Sequence, residues 1–268
     1  MPHRPQPNSP STGRPGTGGR RGRALAIAAC LIFGVPVIAS AATTFFQPAA
    51  TPVELRWGSA GLAPDPATTP EAVVQVYAAR TRGWRGIFAD HTWIAFKPEG
   101  AKSFTRYEVV GFGVRERGTS VRSGGPPDGY WAGNRPELVF DRRGEGVEAM
   151  TARIEEAVAS YPYADRYLAW PGPNSNTFIA HIARSVPELG IALPSTAIGK
   201  DFLTDGGVFA RAPSGTGYQA SLFGLIGVMA SGEEGLEINL LGLSFGFDFR
   251  NPALKLPGLG RIGMAARG

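Results

Sequence analysis

The sequence predicts an α+β fold, and three stretches carry that prediction. Aromatic and β-branched residues fill 91–97 and 103–112 on either side of a Pro-Glu-Gly-Ala turn at 98–101, which is typical of a β-hairpin. Apolar residues recur every three or four positions over 145–160, which predicts an amphipathic helix. A turn rich in Pro, Gly and Asn then opens a second helix within 170–182, where apolar residues return at helical spacing.

The amino-terminal part divides into a cationic arm and an apolar segment. Residues 1–23 are rich in Pro, Gly, Ser and Arg, which predicts a disordered arm. Residues 24–46 carry no charge, and as a helix they would be about 34 Å long, enough to cross a membrane. They are predicted to be a transmembrane helix or a signal peptide. Arginines before the segment place the amino terminus in the cytoplasm and the domain outside it, and cleavage after Ala41 would release an exported protein.

Charge and residue counts exclude several classes of function. The chain has 27 Lys and Arg against 22 Asp and Glu, and the five arginines of the arm account for the whole difference. The rest of the chain is formally neutral, so no nucleic-acid partner is expected. One cysteine, Cys30, and three histidines predict no disulfide framework and no metal site, and no motif indicates a cofactor.

The remaining segments are assigned in order. Residues 47–70 contain five prolines and are predicted to be an extended spacer before a globular domain at 71–263. The stretch 71–80 fits a helix or a strand, 113–135 is predicted to be a loop, and 137–141 a short strand.

Two apolar stretches near the carboxyl end predict further strands. Residues 220–230 are predicted to form one buried strand. Over 236–249 apolar residues alternate with a change of phase at Leu240-Leu241, which suggests a β-bulge.

Three polar residues form a candidate catalytic set. Ser175 opens the second helix, where the helix dipole favours negative charge, and His91 begins a strand. A hairpin turn centred on residues 99 and 100 places His91 opposite Glu108, whereas a slip by one residue offers Tyr107. The alternatives are that Ser175 only caps the helix and that His91 is a buried structural histidine.

Further residues are candidates for binding at the same place. Asn174 and Asn176 flank Ser175, and Trp170 precedes the turn. His181 shares a helix face with Asn174 and is the substitute base if His91 is not near. Tyr107 completes the binding set.

Several strings resemble the bacterial family called domain of unknown function 3750. They are Ala-Arg-Thr-Arg-Gly-Trp at 79–84 with His-Thr-Trp at 91–93, Tyr-Glu-Val-Val-Gly at 107–111, Trp-Pro-Gly-Pro-Asn-Ser-Asn-Thr-Phe at 170–178, Pro-Ser-Thr-Ala-Ile-Gly-Lys-Asp at 194–201 and Ala-Pro-Ser-Gly-Thr-Gly-Tyr at 212–218. The resemblance covers most of residues 50–263.

The order of the candidate residues also resembles a more distant group, the circularly permuted papain-like enzymes such as the NlpC-type hydrolases and lecithin retinol acyltransferase. Their helix opens with Asn-Cys-x-x-Phe, where this chain has Asn-Ser-x-x-Phe at 174–178. The resemblance implies a papain-like permuted antiparallel sheet with packed helices. It assigns Ser175 as nucleophile, His91 as base and Glu108 as the residue that orients the base. A serine in place of the cysteine is far less acidic and depends on a general base.

These observations predict a membrane-anchored or exported envelope protein. The leading hypothesis is a serine hydrolase or acyltransferase that acts on an envelope amide or ester. The alternative is a catalytically inactive papain-like module that binds a peptide, glycan or lipid of the envelope, and a third is a purely structural envelope protein.

Overall fold

A computed structural model describes residues 17–45 and 56–264. The described part begins with a helix made of α1 (Thr17–Ala29), a π-helical segment (Cys30–Gly34) and α2 (Val35–Phe45). Pro36 lacks the N–H that would bond to the carbonyl of Ile32, so a local change of helix type at this point has a physical cause.

This helix is long and apolar enough over Arg21–Thr44 to cross a membrane or to act as a signal sequence. It starts at Thr17, so the last residues of the predicted arm are helical, while residues 1–16 lie outside the described part.

Residues 56–70 pack on the globular part instead of forming a spacer. Ser59 forms a β-bridge with Gly129, and the carboxylate of Asp128 accepts hydrogen bonds from the backbone of Leu62 and Ala63 at 2.5 and 3.1 Å. Residues 56–70 are therefore not the extended spacer that was predicted, and its remaining residues, 47–55, lie outside the described chain.

The first sheet has five antiparallel strands in the order β4-β3-β2-β1-β5. Their bounds are β1 (Val73–Arg80), β2 (Asp90–Lys97), β3 (Thr105–Val109), β4 (Val121–Ser123) and β5 (Glu137–Arg143). The predicted hairpin is β2–β3, and the ambiguous stretch 71–80 is a strand. It is buried on both faces, so its sequence shows no alternation to separate it from a helix.

Helices cover one face of this sheet. α3 (Val114–Arg117) is short and lies in the predicted loop region, α4 (Val147–Ala159) is the predicted amphipathic helix, and α5 (Ser175–Ser185) is the helix opened by the Asn-rich turn. Apolar residues of α4 and α5 pack with Val76 and Ile94 in the main core. The opposite face carries Tyr77 and Trp93, and part of it is covered by Trp131.

The second sheet is a meander of seven antiparallel strands at the carboxyl end. They are β6 (Phe209–Arg211), β7 (Gly217–Leu222), β8 (Ile226–Ser231), β9 (Gly235–Leu240), β10 (Leu243–Asp248), β11 (Ala253–Leu256) and β12 (Gly260–Gly263).

Two strand predictions in this region are wrong. Residues 220–230 form a hairpin, not one buried strand, because Phe223 and Gly224 adopt positive φ angles of 53° and 69° and reverse the chain. The change of phase near Leu240 is likewise a two-residue turn, with Leu241 and Gly242 at φ 54° and 84°. Neither turn has the Asn-Gly or Asp-Gly pair that marks such hairpins in a sequence.

The α+β class with antiparallel sheets, packed helices and one amino-terminal apolar helix is confirmed. The described chain has two sheets where one was predicted. The papain-like topology stays a prediction.

Candidate functional site

The start of α5 is held by a dense set of side-chain hydrogen bonds. The side-chain oxygen Oδ1 of Asn174 accepts from the backbone N–H groups of Asn176 and Thr177 at 2.9 and 3.1 Å, and the Thr177 hydroxyl accepts from the backbone N–H of Asn174. The Asn174 amide donates to the carbonyls of Ala169 and Ile198, each at 3.0 Å. These bonds satisfy the free N–H groups of the first helical turn and fix the helix against two loops.

Asn176 joins the same helix start to the first sheet. Its amide donates to the carbonyls of Asp90 and Ile198, and its oxygen accepts from the Thr92 hydroxyl at 2.9 Å. The side chains of Asn174 and Asn176 are therefore engaged within the protein, where they position Ser175.

His91 and Glu108 form a buried pair on β2 and β3. The imidazole Nε2 lies 2.8 Å from a Glu108 carboxylate oxygen, and the same oxygen accepts from Arg106 Nη2 at 3.0 Å. The His91 ring stacks on Trp131 with 3.6 Å between centroids, and the Arg106 guanidinium lies 4.4 Å from the Trp93 ring centroid. The pair belongs to a packed layer of aromatic and charged groups.

The predicted strand register is wrong by two residues. Ile94 pairs with Tyr107 and Ala95 with Arg106, so His91 lies diagonally across from Glu108 instead of directly opposite. A shift of two residues keeps every side chain on its own face, because side chains alternate with period two. The predicted contact forms in spite of the register, and Tyr107 lies on the other face, packed with Phe96 in the main core.

Protonation in this cluster follows from burial and from Arg106. Burial lowers the pKa of His91, although its hydrogen bond to Glu108 acts in the opposite direction. Burial would raise the pKa of Glu108, but the hydrogen bonds and charges of His91 and Arg106 outweigh it and keep the pKa below its ordinary value. The pair is thus a neutral imidazole that donates from Nε2 to an ionised carboxylate, whose charge Arg106 balances.

Ser175 lies on the opposite side of the sheet from His91. The Thr92 hydroxyl bonds to Asn176 at the start of α5, so the Thr92 side chain points toward that helix. His91, the preceding residue of the same strand, points away from it toward Trp131. In the chain from 56 to 264 no hydrogen bond joins His91 to Ser175. The structure brings together two members of the predicted trio and leaves the third apart.

Ser175 lines a cavity of about 460 Å³ that the imidazole does not reach. The cavity wall combines Val37 of α2, residues between 81 and 90, residues between 167 and 176, Ile198, and Leu241 and Leu243 at one turn of the second sheet. Apolar and aromatic side chains such as Phe88 and Trp170 predominate. Its size is that of an ordinary ligand pocket.

Tyr167 also lines this cavity and is hydrogen-bonded to Ser175. Burial raises the pKa of the Tyr167 phenol, and hydrogen bonds to the Ser175 side chain and backbone oppose that shift without cancelling it. At neutral pH the phenol is therefore protonated and cannot act as a general base toward the Ser175 hydroxyl.

The other predicted binding residues divide between the cavity and the core. Trp170 lines the cavity, is half exposed and donates from its indole N–H to the Leu241 carbonyl at 2.9 Å. His181 bonds to the Thr204 hydroxyl and the Ala157 carbonyl, and burial lowers its pKa. It holds α5 to neighbouring segments and is not part of the cavity wall.

Sequence reasoning missed Arg106 and Tyr167. Arg106 stands two residues before Glu108, so the period of a strand places both on one face and could have identified it. Tyr167 reaches Ser175 through the irregular segment between α4 and α5, and no periodicity marks that contact. Within the described residues no cluster of three or more His, Cys, Asp or Glu side chains is arranged to hold a metal ion.

The comparison with protein families identifies one domain. Residues 71–202 match the family described as "Protein of unknown function (DUF3750)". No curated protein and no solved structure matches the chain. The match contains the five-stranded sheet, α4, α5 and most of the cavity wall, and it ends before the seven-stranded sheet. The similarity to the DUF3750 family thus covers residues 71–202, just under half of the chain.

Proposed function

We propose that this protein is a single-pass membrane protein that binds a lipid-like amphiphile with an acidic head group. The observation that carries the proposal is the cavity at the start of α5, whose wall combines the apolar amino-terminal helix, aromatic side chains and the second sheet. A pocket that is walled partly by such a helix is accessible to a molecule that is itself dissolved in the membrane.

The lining of the cavity selects the class of ligand. Phe88, Ile198 and Leu243 offer an apolar surface that suits a hydrocarbon chain. Arg85 also lines the cavity, and its side chain is exposed and lies over the Trp84 ring. A guanidinium at the edge of an apolar cavity favours a phosphate or carboxylate. Asp90 carries the opposite charge, but it is paired with Arg80 at 3.4 Å.

The contacts of the amino-terminal helix support an anchor that is retained. Ser40 is buried and donates to the carbonyls of Ile87 and Gly258, so the helix packs on both parts of the domain. The excess of arginine before the helix favours a cytoplasmic amino terminus and an extracytoplasmic domain.

Binding of a labelled acidic amphiphile tests the proposal. The full chain in phosphatidylcholine nanodiscs is titrated with a fluorescent hexadecyl phosphate, and with a neutral hexadecyl alcohol that bears the same fluorophore. Arg85→Gln should weaken binding of the phosphate about tenfold, which corresponds to one lost charged hydrogen bond, and leave the alcohol unchanged.

A variant that fills the cavity provides the second part of the test. Ala89→Phe should weaken both probes, because Ala89 lines the cavity, whereas Ala152→Phe on the exposed face of α4 should weaken neither. Equal affinity of wild type and Ala89→Phe, with both proteins folded by circular dichroism, would refute the cavity as the binding site.

A serine hydrolase or acyltransferase acting on an envelope amide or ester is the second candidate. It is favoured by the position of Ser175, which lines the cavity at the positive end of the α5 dipole. Since His91 lies beyond the sheet, the base that the papain-like resemblance assigns to Ser175 is not beside it. A fluorophosphonate probe that labels wild type but not Ser175→Ala would decide for the enzyme, and the binding proposal expects no labelling of either.

A further inference from the structure

The seven-stranded sheet has an outer face made of apolar side chains. Val228, Ile238 and Phe245 lie side by side across three strands. The next row runs from Leu236 through Phe247 and Leu254 to Ile262. Several of these side chains are well exposed, with Val228 at 54 % and Ile238 at 48 %. The patch extends over five neighbouring strands, and a monomeric soluble protein rarely exposes an apolar surface of this extent.

The inner face of the same sheet is polar and buried. Glu237 lies between Lys200 and Lys255, with 2.6 Å from each ammonium to a carboxylate oxygen. Asn239 donates to Asp201 at 2.7 Å, and Asp248 pairs with Arg261. Side chains on this sheet thus alternate with the polar set inside and the apolar set outside. A sheet with one face in water shows the reverse pattern.

The amino-terminal helix lies against this outer face. The rings of Phe33 and Phe245 are 6.4 Å apart at their centroids, and Val37 shares the cavity wall with Leu243. Phe33 lies near the middle of the apolar stretch Arg21–Thr44, roughly 16 Å from its carboxyl end at 1.5 Å per residue. A helix that crosses a bilayer would therefore hold Phe245 below the membrane surface.

We infer that the outer face of the seven-stranded sheet is a lipid-contacting surface, immersed in the same leaflet as the carboxyl-terminal half of the helix. The inference rests on the membrane anchor of the proposed function and does not depend on the cavity ligand. Backbone groups of the inner strands are paired along the ladders, as hydrocarbon requires. The helix covers only part of the face, and lipid chains cover the rest.

Fluorescence quenching by lipids tests the surface directly. Single-cysteine proteins are made in a Cys30→Ser background, labelled with an NBD fluorophore and reconstituted as full chains in phosphatidylcholine–phosphatidylglycerol vesicles that contain doxyl-labelled lipid. Ile238→Cys and Phe247→Cys report the outer face. Leu138→Cys is the matched control, an exposed leucine on a strand of the other sheet. Ile38→Cys, which is 70 % exposed on the helix, reports the anchor.

Lipid contact predicts blue-shifted emission and at least twofold quenching at positions 38, 238 and 247, with neither effect at 138. Quenching at 38 but not at 238 and 247 would overturn the surface and leave the anchor standing. No quenching at any position would overturn both. Disulfide cross-linking of unlabelled Ile238→Cys between two chains, without quenching, would assign the face to a second copy and also overturn the inference.

Discussion

Glu108 is the residue on which the buried layer behind the first sheet depends. Its carboxylate receives both the His91 imidazole and the Arg106 guanidinium, and all three side chains are buried. A buried charge is tolerated when its partner stays in place, and the loss of one partner leaves the other uncompensated. Removal of one member of the cluster should therefore destabilise the strands from which it projects.

Replacement of Glu108 tests this role. Glu108→Gln keeps the shape but removes the negative charge opposite Arg106, so the free energy of unfolding should fall by about 3 kcal/mol. Such a loss corresponds to a Tm lower by roughly 10 °C for a domain of this size, measured by circular dichroism in detergent. Glu137→Gln, an exposed glutamate on β5, is the control and should stay within about 0.5 kcal/mol. Equal melting of the two variants would contradict the role of the cluster.

At the residue scale one of the two contacts predicted within the candidate catalytic set is present in the structure. The pairing of His91 with Glu108 was predicted from an incorrect register, and it formed because the error of two residues preserved the face. The proximity of Ser175 to His91 was predicted by resemblance, and it failed because Thr92, not His91, points toward α5. Successive side chains of a strand point to opposite faces of the sheet. A resemblance between motifs does not determine which of two neighbouring residues faces the helix.

Among the elements, α5 depends most on its first turn. Asn174 supplies two bonds to helix N–H groups and two to loop carbonyls, and its side chain is buried. The same residue thus caps the helix and closes the loops that line the cavity.

Loss of this cap should destabilise the domain measurably. Asn174→Ala should lower the free energy of unfolding by about 2 kcal/mol, the upper part of the range for a lost cap, because buried carbonyls also lose their donor. Ser160→Ala at the exposed carboxyl end of α4 removes one hydroxyl bond and should change it by less than about 0.5 kcal/mol. The free energies of unfolding of both variants are measured by chemical denaturation. A similar midpoint denaturant concentration for the two would contradict the role of Asn174 as a stabilising cap.

Helices and strands were predicted correctly where the spacing of apolar residues and the turn residues at the ends indicated the same element. The hairpin β2–β3 and helices α4 and α5 have clear periods and were predicted. Strands β7 to β10 were recognised only in part, because their turns at Phe223-Gly224 and Leu241-Gly242 lack the usual residues. Alternation of apolar and polar residues also does not show which of the two sets faces inward. The seven-stranded sheet with its polar inner face and apolar outer face was therefore not predicted.

For the whole molecule, the amino-terminal helix is part of the folded structure. Ser40 is buried against Ile87 and Gly258, and Phe33 packs on Phe245. Cleavage after Ala41 would remove all of these contacts at once. The sequence predicted a span or a signal peptide but could not show the docking, since the contacts join residues far apart in the chain.

Retention of the helix is the prediction at this scale. The intact mass of the protein from the native membrane should include residues 33–41. Ala39→Leu removes a small residue that signal-peptide cleavage requires, and this variant should have the same number of residues as the wild type. A mature amino terminus at Ala42 would show that the helix is removed and that the domain exists without it.

Val37 of the amino-terminal helix and Leu243 of the second sheet both line the cavity, so binding of a ligand there is coupled to the contact between helix and sheet. A ligand in the cavity contacts the helix and the sheet together, so its binding free energy adds to the free energy required to separate them. The protein with a bound ligand should therefore resist separation of the helix from the sheet more strongly than the protein without one.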